Sequence, residues 1–285
     1  MAKKRKAKAP SIKKWAGELD FGKPHPVFSK MATEELKTVD LDALGPQEGE
    51  YWKVELQRRN EQLDHTLLGH LDVGGQFGPI LKHPLYVGPV NLNRAAFVNW
   101  AISYKQRVLK GLMAENKWRQ VVFGHEQLFY DQAFRKYLKH FDDKSYWEIL
   151  SIIWTQQEQL WPNRKWFLQL FQAKRPKREH LMSAAERRTL AKLPVDFPIY
   201  RGFIGKRGEG LSWSLSRKKA EWFARRFSVM TELGQPRLML GVIKKKDVLA
   251  YFNARKEKEI VVDPAKVRSM KVEAVTPSKN DDGDE

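Results

Sequence analysis

Residues 198–227 read PIYRGFIGKRGEGLSWSLSRKKAEWFARRF, and in this stretch the chain changes texture. Near Pro194 helical periodicity gives way to short apolar runs separated by glycine, the pattern of strands and tight turns. The candidate strands are residues 198–203, 211–215, 237–243, 259–262 and 267–275. One helix interrupts them. Ser216 stands where an N-cap belongs, and Ala220, Phe223, Ala224 and Phe227 then fall at i, i+3, i+4 and i+7 on one face. A helical first part followed by a strand-rich last third predicts an α+β chain.

Upstream, from about residue 90 to 192, apolar residues recur at helical spacing. Phe97, Trp100, Ala101 and Tyr104 form one such set, and Phe134, Tyr137, Leu138 and Phe141 another. Trp147, Leu150, Ile153 and Trp154 follow, then Trp166, Leu168, Leu170 and Phe171. Aromatics at this spacing are read as core. Residues 16 to about 60 mix proline, glycine and acids without a sustained period, an irregular lead-in to the helical part. Lys3, Lys4, Arg5, Lys6, Lys8, Lys13 and Lys14 crowd the first fourteen residues without an acid, which reads as a disordered basic arm over 1–15. Asp281, Asp282, Asp284 and Glu285 mark an acidic tail over 276–285.

The 285 residues include 52 Lys+Arg against 34 Asp+Glu, no cysteine, 42% hydrophobic residues and 10 Trp. That aromatic content excludes an intrinsically disordered chain, and the lack of thiols excludes a disulfide scaffold or a cysteine-ligated zinc module. No apolar run approaches the roughly 20 residues that cross a bilayer, and the lysine-rich start lacks the apolar stretch of a signal peptide. The expectation is a soluble protein of the cytoplasm, the host's if the chain is phage-encoded, with no membrane partner. A net charge of +18 attracts polyanions, so nucleic acid, nucleoprotein, acidic proteins and phosphorylated small molecules all qualify as partners. Taking away the arm leaves about +11, so the folded body is basic in its own right.

Several familiar signals fail. Gly205, Gly208 and Gly210 lack the spacing and the following acid of a dinucleotide fingerprint, and read as a hairpin loop. There is no phosphate-binding loop ending in Gly-Lys-Ser/Thr. His65 and His70, five apart, do not align two ligands on a helix face, and no metal is expected.

Three segments carry chemistry through their order: Tyr200-Arg201-Gly202, then Leu211-Ser212-Trp213-Ser214, then Glu257-Lys258-Glu259-Ile260-Val261-Val262-Asp263-Pro264. Together they resemble the arginine, serine and glutamate motifs of the mono-ADP-ribosyltransferases, the R-S-E class found in clostridial binary toxins and bacteriophage arginine modifiers. The run from Ser212 through Leu215 and Ser216 into Ala220, Trp222, Phe223 and Ala224 keeps that family's spacing, with Trp213 in place of threonine. The likeness covers about residues 128–275. Residues 16–127, irregular and then helical, resemble nothing named.

The resemblance implies a helical lobe plus two small packed, mostly antiparallel sheets that form a cleft for NAD, the ADP-ribose donor, without metal. It implies that Glu259 offsets positive charge on the ribose as the nicotinamide bond breaks, as in glycosidase chemistry, with Ser212 holding that carboxylate. It implies that Arg201 grips the pyrophosphate and that Gly202, Ser212, Ser214, Phe223 and Arg226 line the NAD site, although Phe223 reads equally as core. Glu257, two residues before Glu259, would project to the same side in an extended segment and select an arginine acceptor on a target protein. The family's aromatic ahead of this motif has no counterpart at the usual offset; Tyr251 and Phe252 are close to it. Two alternatives stay open: modification of nucleic acid, favoured by the charge, and an inactive binding or structural protein that keeps the fold.

Overall fold

The structure, a computed structural model, describes residues 62–73, 79–90, 95–156, 162–205, 208–231 and 234–276, the side chains of 227–231 excepted. The basic arm, the irregular lead-in, the acidic tail beyond Thr276 and the Phe227 side chain lie outside the described residues. The described residues fall into two compact units, divided between Tyr137 and Leu138. It is a mixed α+β protein with helices ahead of the strand-rich last third and two antiparallel sheets.

In the first unit, strands β1 (Leu71–Asp72), β2 (Ile80–His83) and β3 (Tyr86–Pro89) make a small antiparallel sheet. Helices α1 (Ala95–Ala114), α2 (Trp118–Phe123) and α3 (Tyr130–Tyr137) follow. The sheet is an addition to the sequence reading, which gave this region no strands. Its strands are too short to show an alternating pattern, and β3 ends in Gly88-Pro89, residues that break strands. The apolar repeat of Trp100 and Ala101 does form the buried stripe of α1, with Phe97 and Tyr104 packed beside it.

The second unit opens with helices α4 (Asp143–Gln156), α5 (Arg164–Phe171) and α6 (Ala184–Lys192). In α4, Tyr146, Trp147, Ile149, Leu150, Ile153 and Trp154 are all buried, a stripe wide enough to be enclosed on several sides. The polar ends of two of these aromatics find backbone partners, Tyr146 Oη donating to Leu170 O at 2.8 Å and Trp147 Nε1 to Pro176 O at 2.8 Å. Ser183 and Glu186 close a capping box on α6, and Glu186 also accepts from Asn253 N at 2.8 Å.

Strands β4 (Asp196–Ile204), β5 (Ser212–Ser214), β6 (Pro236–Lys244), β7 (Val248–Phe252), β8 (Glu259–Val262) and β9 (Arg268–Ala274) pair antiparallel in the order β7-β8-β5-β4-β6-β9. The expected two small sheets are thus joined into one hydrogen-bonded array. The junction is narrow, because β5 has three residues and meets β4 in a single register pair, Tyr200 with Ser214. On one side Phe197, Ile199, Trp213, Ile243, Tyr251, Ile260, Val262 and Val267 form the core cluster. Trp213 belongs to this core and spans back to Gly210 O through its indole N–H at 3.0 Å.

Helix α7 (Arg217–Thr231) starts as the sequence indicates, with Ser216 Oγ accepting from Lys219 N at 3.3 Å. Ala220 and Ala224 are buried against the sheet, and Phe223 is half-buried. The helix comes so close because β4 presents glycine there. A methyl group on Gly202 would lie 1.9 Å from Ala220 O and 2.6 Å from Ala224 N.

Candidate active site around Glu259

Glu259 begins β8, whose other residues are Ile260, Val261 and Val262, all four buried. An acid in such a strand requires polar partners within the protein. Two are present. Ser212 Oγ donates to Glu259 Oε1 at 2.5 Å, and Trp154 Nε1 donates to the same oxygen at 3.0 Å. The Ser212 contact is diagonal across the strands: β5 runs antiparallel to β8 with Ser212 opposite Val261 and Ser214 opposite Glu259, so Ser212 shares a face with Glu259 two positions along.

Burial raises the Glu259 carboxyl to about 7, the Ser212 and Trp154 hydrogen bonds and the Arg255 charge only partly opposing it, while the neighbouring Glu257 charge adds to the rise. Near neutrality the group therefore exists in both charge states. A buried acid tuned to this range is a frequent feature of sites that stabilise charge or move protons.

Arg201 reaches the same place from β4. Its Nε donates to Gly208 O at 3.0 Å and its Nη1 to Ser212 O at 2.5 Å, so the guanidinium clamps the glycine loop onto β5. Burial lowers its pKa to about 10, with the Glu259 charge acting in the other direction, and it stays a cation at neutral pH. Gly210 makes room for it: a methyl there would sit 2.0 Å from Arg201 Nη2. Two of the donors expected to face a pyrophosphate are thus committed to backbone carbonyls.

Ser214 is buried and works on the backbone. It donates to Glu257 O at 2.7 Å and accepts from Ser216 N at 3.0 Å, tying the loop before β8 to the start of α7. Glu257 itself lies in that loop, its Oε2 receiving Arg255 Nη2 at 2.9 Å. The expectation of an extended Glu257–Glu259 segment is corrected here. Lys256 and Lys258 have φ of 58° and 48°, left-handed values that take both residues out of strand geometry. The Glu257 charge still acts on Glu259.

Comparison with known proteins finds no matching family model, no matching curated protein and no matching solved structure. The site stands on its own geometry.

That geometry brings Arg201, Ser212 and Glu259 into one continuous chain of contacts, with Ser214 and Glu257 attached through the backbone. Gly202 plays a different part from the one expected of it, since its bare Cα is occupied by the backbone of α7. Phe223 and Arg226 both gather on Trp222, the Phe223 ring edge-on at 4.9 Å and the Arg226 guanidinium 5.3 Å above the indole. Tyr251 and Phe252 are buried in β7 and present no aromatic surface to a substrate. Among the described residues no group of three His, Asp or Glu could hold a metal ion, and no helix is long and apolar enough to cross a membrane.

Trp154 is the site residue that sequence reasoning assigns wholly to the core. It does pack there, edge-on to Phe167 and Phe171 at 5.4 and 4.9 Å, yet its N–H serves an acid 105 residues away. Trp154→Phe keeps the packing and deletes the donor. The expected result is a loss of about 1–2 kcal/mol when Glu259 is ionised, together with a further rise in the Glu259 titration midpoint. Carbon NMR of labelled glutamate checks the midpoint, and an unmoved titration would show that the indole does not support the carboxylate.

Proposed function

We propose that this chain is an NAD-dependent mono-ADP-ribosyltransferase that modifies arginine side chains of a target protein. The observation that carries the reading is the buried Glu259 carboxylate, held by Ser212 and Trp154 beside the Arg201 clamp. Breaking the bond between nicotinamide and ribose develops positive charge on the sugar, and a preorganised anion in a dry setting stabilises it best. Glu259 supplies that anion when ionised. Its two donors bind one oxygen, which fixes the carboxylate before substrate arrives. Arg201 contributes a fixed cation near the donor's phosphates, its plane set by Gly208 and Ser212. Glu257, in the adjoining loop, orients the acceptor guanidinium and accepts its proton.

The basic composition fits a target in nucleoprotein, such as the transcription or translation machinery, reached by electrostatic steering. The same +18 charge favours a second reading in which nucleic acid is the acceptor. Labelled NAD, a cell lysate and an added guanidino compound test both. Glu257→Gln is expected to reduce transfer to guanidines by roughly a hundredfold relative to hydrolysis of NAD; equal loss of both would contradict the role given to Glu257. Label that stays with protein after nuclease treatment supports the protein acceptor, and label released with nucleotides supports the second reading. If neither transfer nor NAD hydrolysis occurs in the folded wild type, the chain is a binding or structural protein.

A further inference from the structure

The loop between β7 and β8, Asn253-Ala254-Arg255-Lys256-Glu257-Lys258, is held tightly by its own bonds. Lys256 N donates to Asn253 O at 3.0 Å and Lys258 N to Asn253 Oδ1 at 3.0 Å, while Ser214 holds the Glu257 carbonyl from below. The left-handed turns at Lys256 and Lys258 accompany a contact between side chains only two positions apart. Arg255 Nη2 lies 2.9 Å and its Nε 3.2 Å from a single Glu257 oxygen. Arg255 is 44% exposed and Glu257 only 17%, so the guanidinium covers the acid from the solvent side. An ion pair this exposed adds little to stability.

Under the function proposed above, Glu257 is the group that receives an acceptor guanidinium, and here a guanidinium of the chain itself already rests on it. We propose that Arg255 is a modification site: in the presence of NAD the chain transfers ADP-ribose to its own Arg255. The inference depends on that functional reading and extends it to a particular acceptor. In the step, the bond between ribose C1′ and the nicotinamide nitrogen breaks and its electron pair leaves with nicotinamide. A nitrogen of the Arg255 guanidinium forms the new bond to C1′, and the proton it sheds passes to the Glu257 carboxylate and on to water. The products are ADP-ribosyl-Arg255, nicotinamide and one proton, with no change of oxidation state. Proximity makes this intramolecular acceptor effective at a concentration no free protein matches. The bulky product then covers Glu257, so one turnover blocks the seat that a target arginine needs.

The test incubates the full chain with NAD and locates ADP-ribose by peptide mass spectrometry, alongside nicotinamide release. The expected result is one ADP-ribose per chain on Arg255, appearing at a rate per chain independent of chain concentration. Arg255→Ala is expected to lower self-labelling by roughly tenfold or more and to raise transfer to an added guanidino compound, since no cation at position 255 then covers Glu257. Nicotinamide release that requires Glu259, with Arg255 unmodified or with a rate proportional to chain concentration, would overturn the self-modification and leave the transferase reading in place. Release that is absent, or indifferent to Glu259→Gln, would overturn both.

Discussion

Glu259→Gln is expected to raise the melting temperature at about pH 8 while lowering NAD cleavage by on the order of a hundred- to a thousandfold. The two effects share one cause. In the folded chain burial lifts this carboxyl from an ordinary value of 4.5 to about 7, so the native state holds the proton more tightly than the unfolded state. The contribution to stability is therefore most favourable below about pH 4.5, falls as pH rises between the two values, and stays at its low level above about 7. A shift of this size corresponds to a cost on the order of 3 kcal/mol for carrying the ionised group. Glutamine keeps the shape, and its carbonyl oxygen can accept the same bonds from Ser212 and Trp154, but it carries no charge to bury. Scanning calorimetry of both proteins at about pH 5 and pH 8 checks the sign. The stabilising effect belongs to the higher pH. A variant that melts lower than wild type at the higher pH would show that the carboxylate is not strained by its burial.

Gly202→Ala tests the scaffold with the opposite signature. The added methyl meets Ala220 O at 1.9 Å and Ala224 N at 2.6 Å, and both atoms belong to the backbone of α7. No rotamer change relieves such a contact, so the helix must move off β4, exposing apolar surface around Ala220, Ala224 and Leu238. We expect a destabilisation of about 3–5 kcal/mol and a fall in melting temperature on the order of 10 °C. Because Arg201 precedes Gly202 on the same strand, NAD cleavage should fall with the fold. Thermal melting followed by near-ultraviolet circular dichroism measures it. A loss below about 1 kcal/mol would mean that α7 slides freely over the strand.

Much of the second unit is legible in the chain because its signals are local. The strand at 259–262 is an unbroken apolar run behind one acid, and Ser216 announces α7 by capping chemistry that needs only three neighbouring residues. The convergence of Arg201, Ser212 and Glu259 follows once those strands pair antiparallel. Strand β7, Val248-Leu249-Ala250-Tyr251-Phe252, is an apolar run too, but it follows β6 after only Lys245-Lys246-Asp247, with no glycine or proline to set it off as a separate strand, and a bulge between Val248 and Ala250 breaks its register. The hydrogen bond from Trp154 to Glu259 is invisible for a different reason: a tryptophan on an apolar helical stripe looks the same whether its N–H meets a carbonyl or an acid. The commitment of Arg201 to Gly208 and Ser212, and the left-handed turns around Glu257, depend on how a loop closes. Periodicity carries no record of that.

The most direct test of the account is the pH dependence of nicotinamide release from NAD by the folded wild-type chain, measured against Glu259→Gln. Release is expected to rise with pH through a single ionisation near 7, the value to which burial brings Glu259, and to be lost in the glutamine variant. Release that is flat across this range and survives the substitution, or no release at any pH, would contradict it.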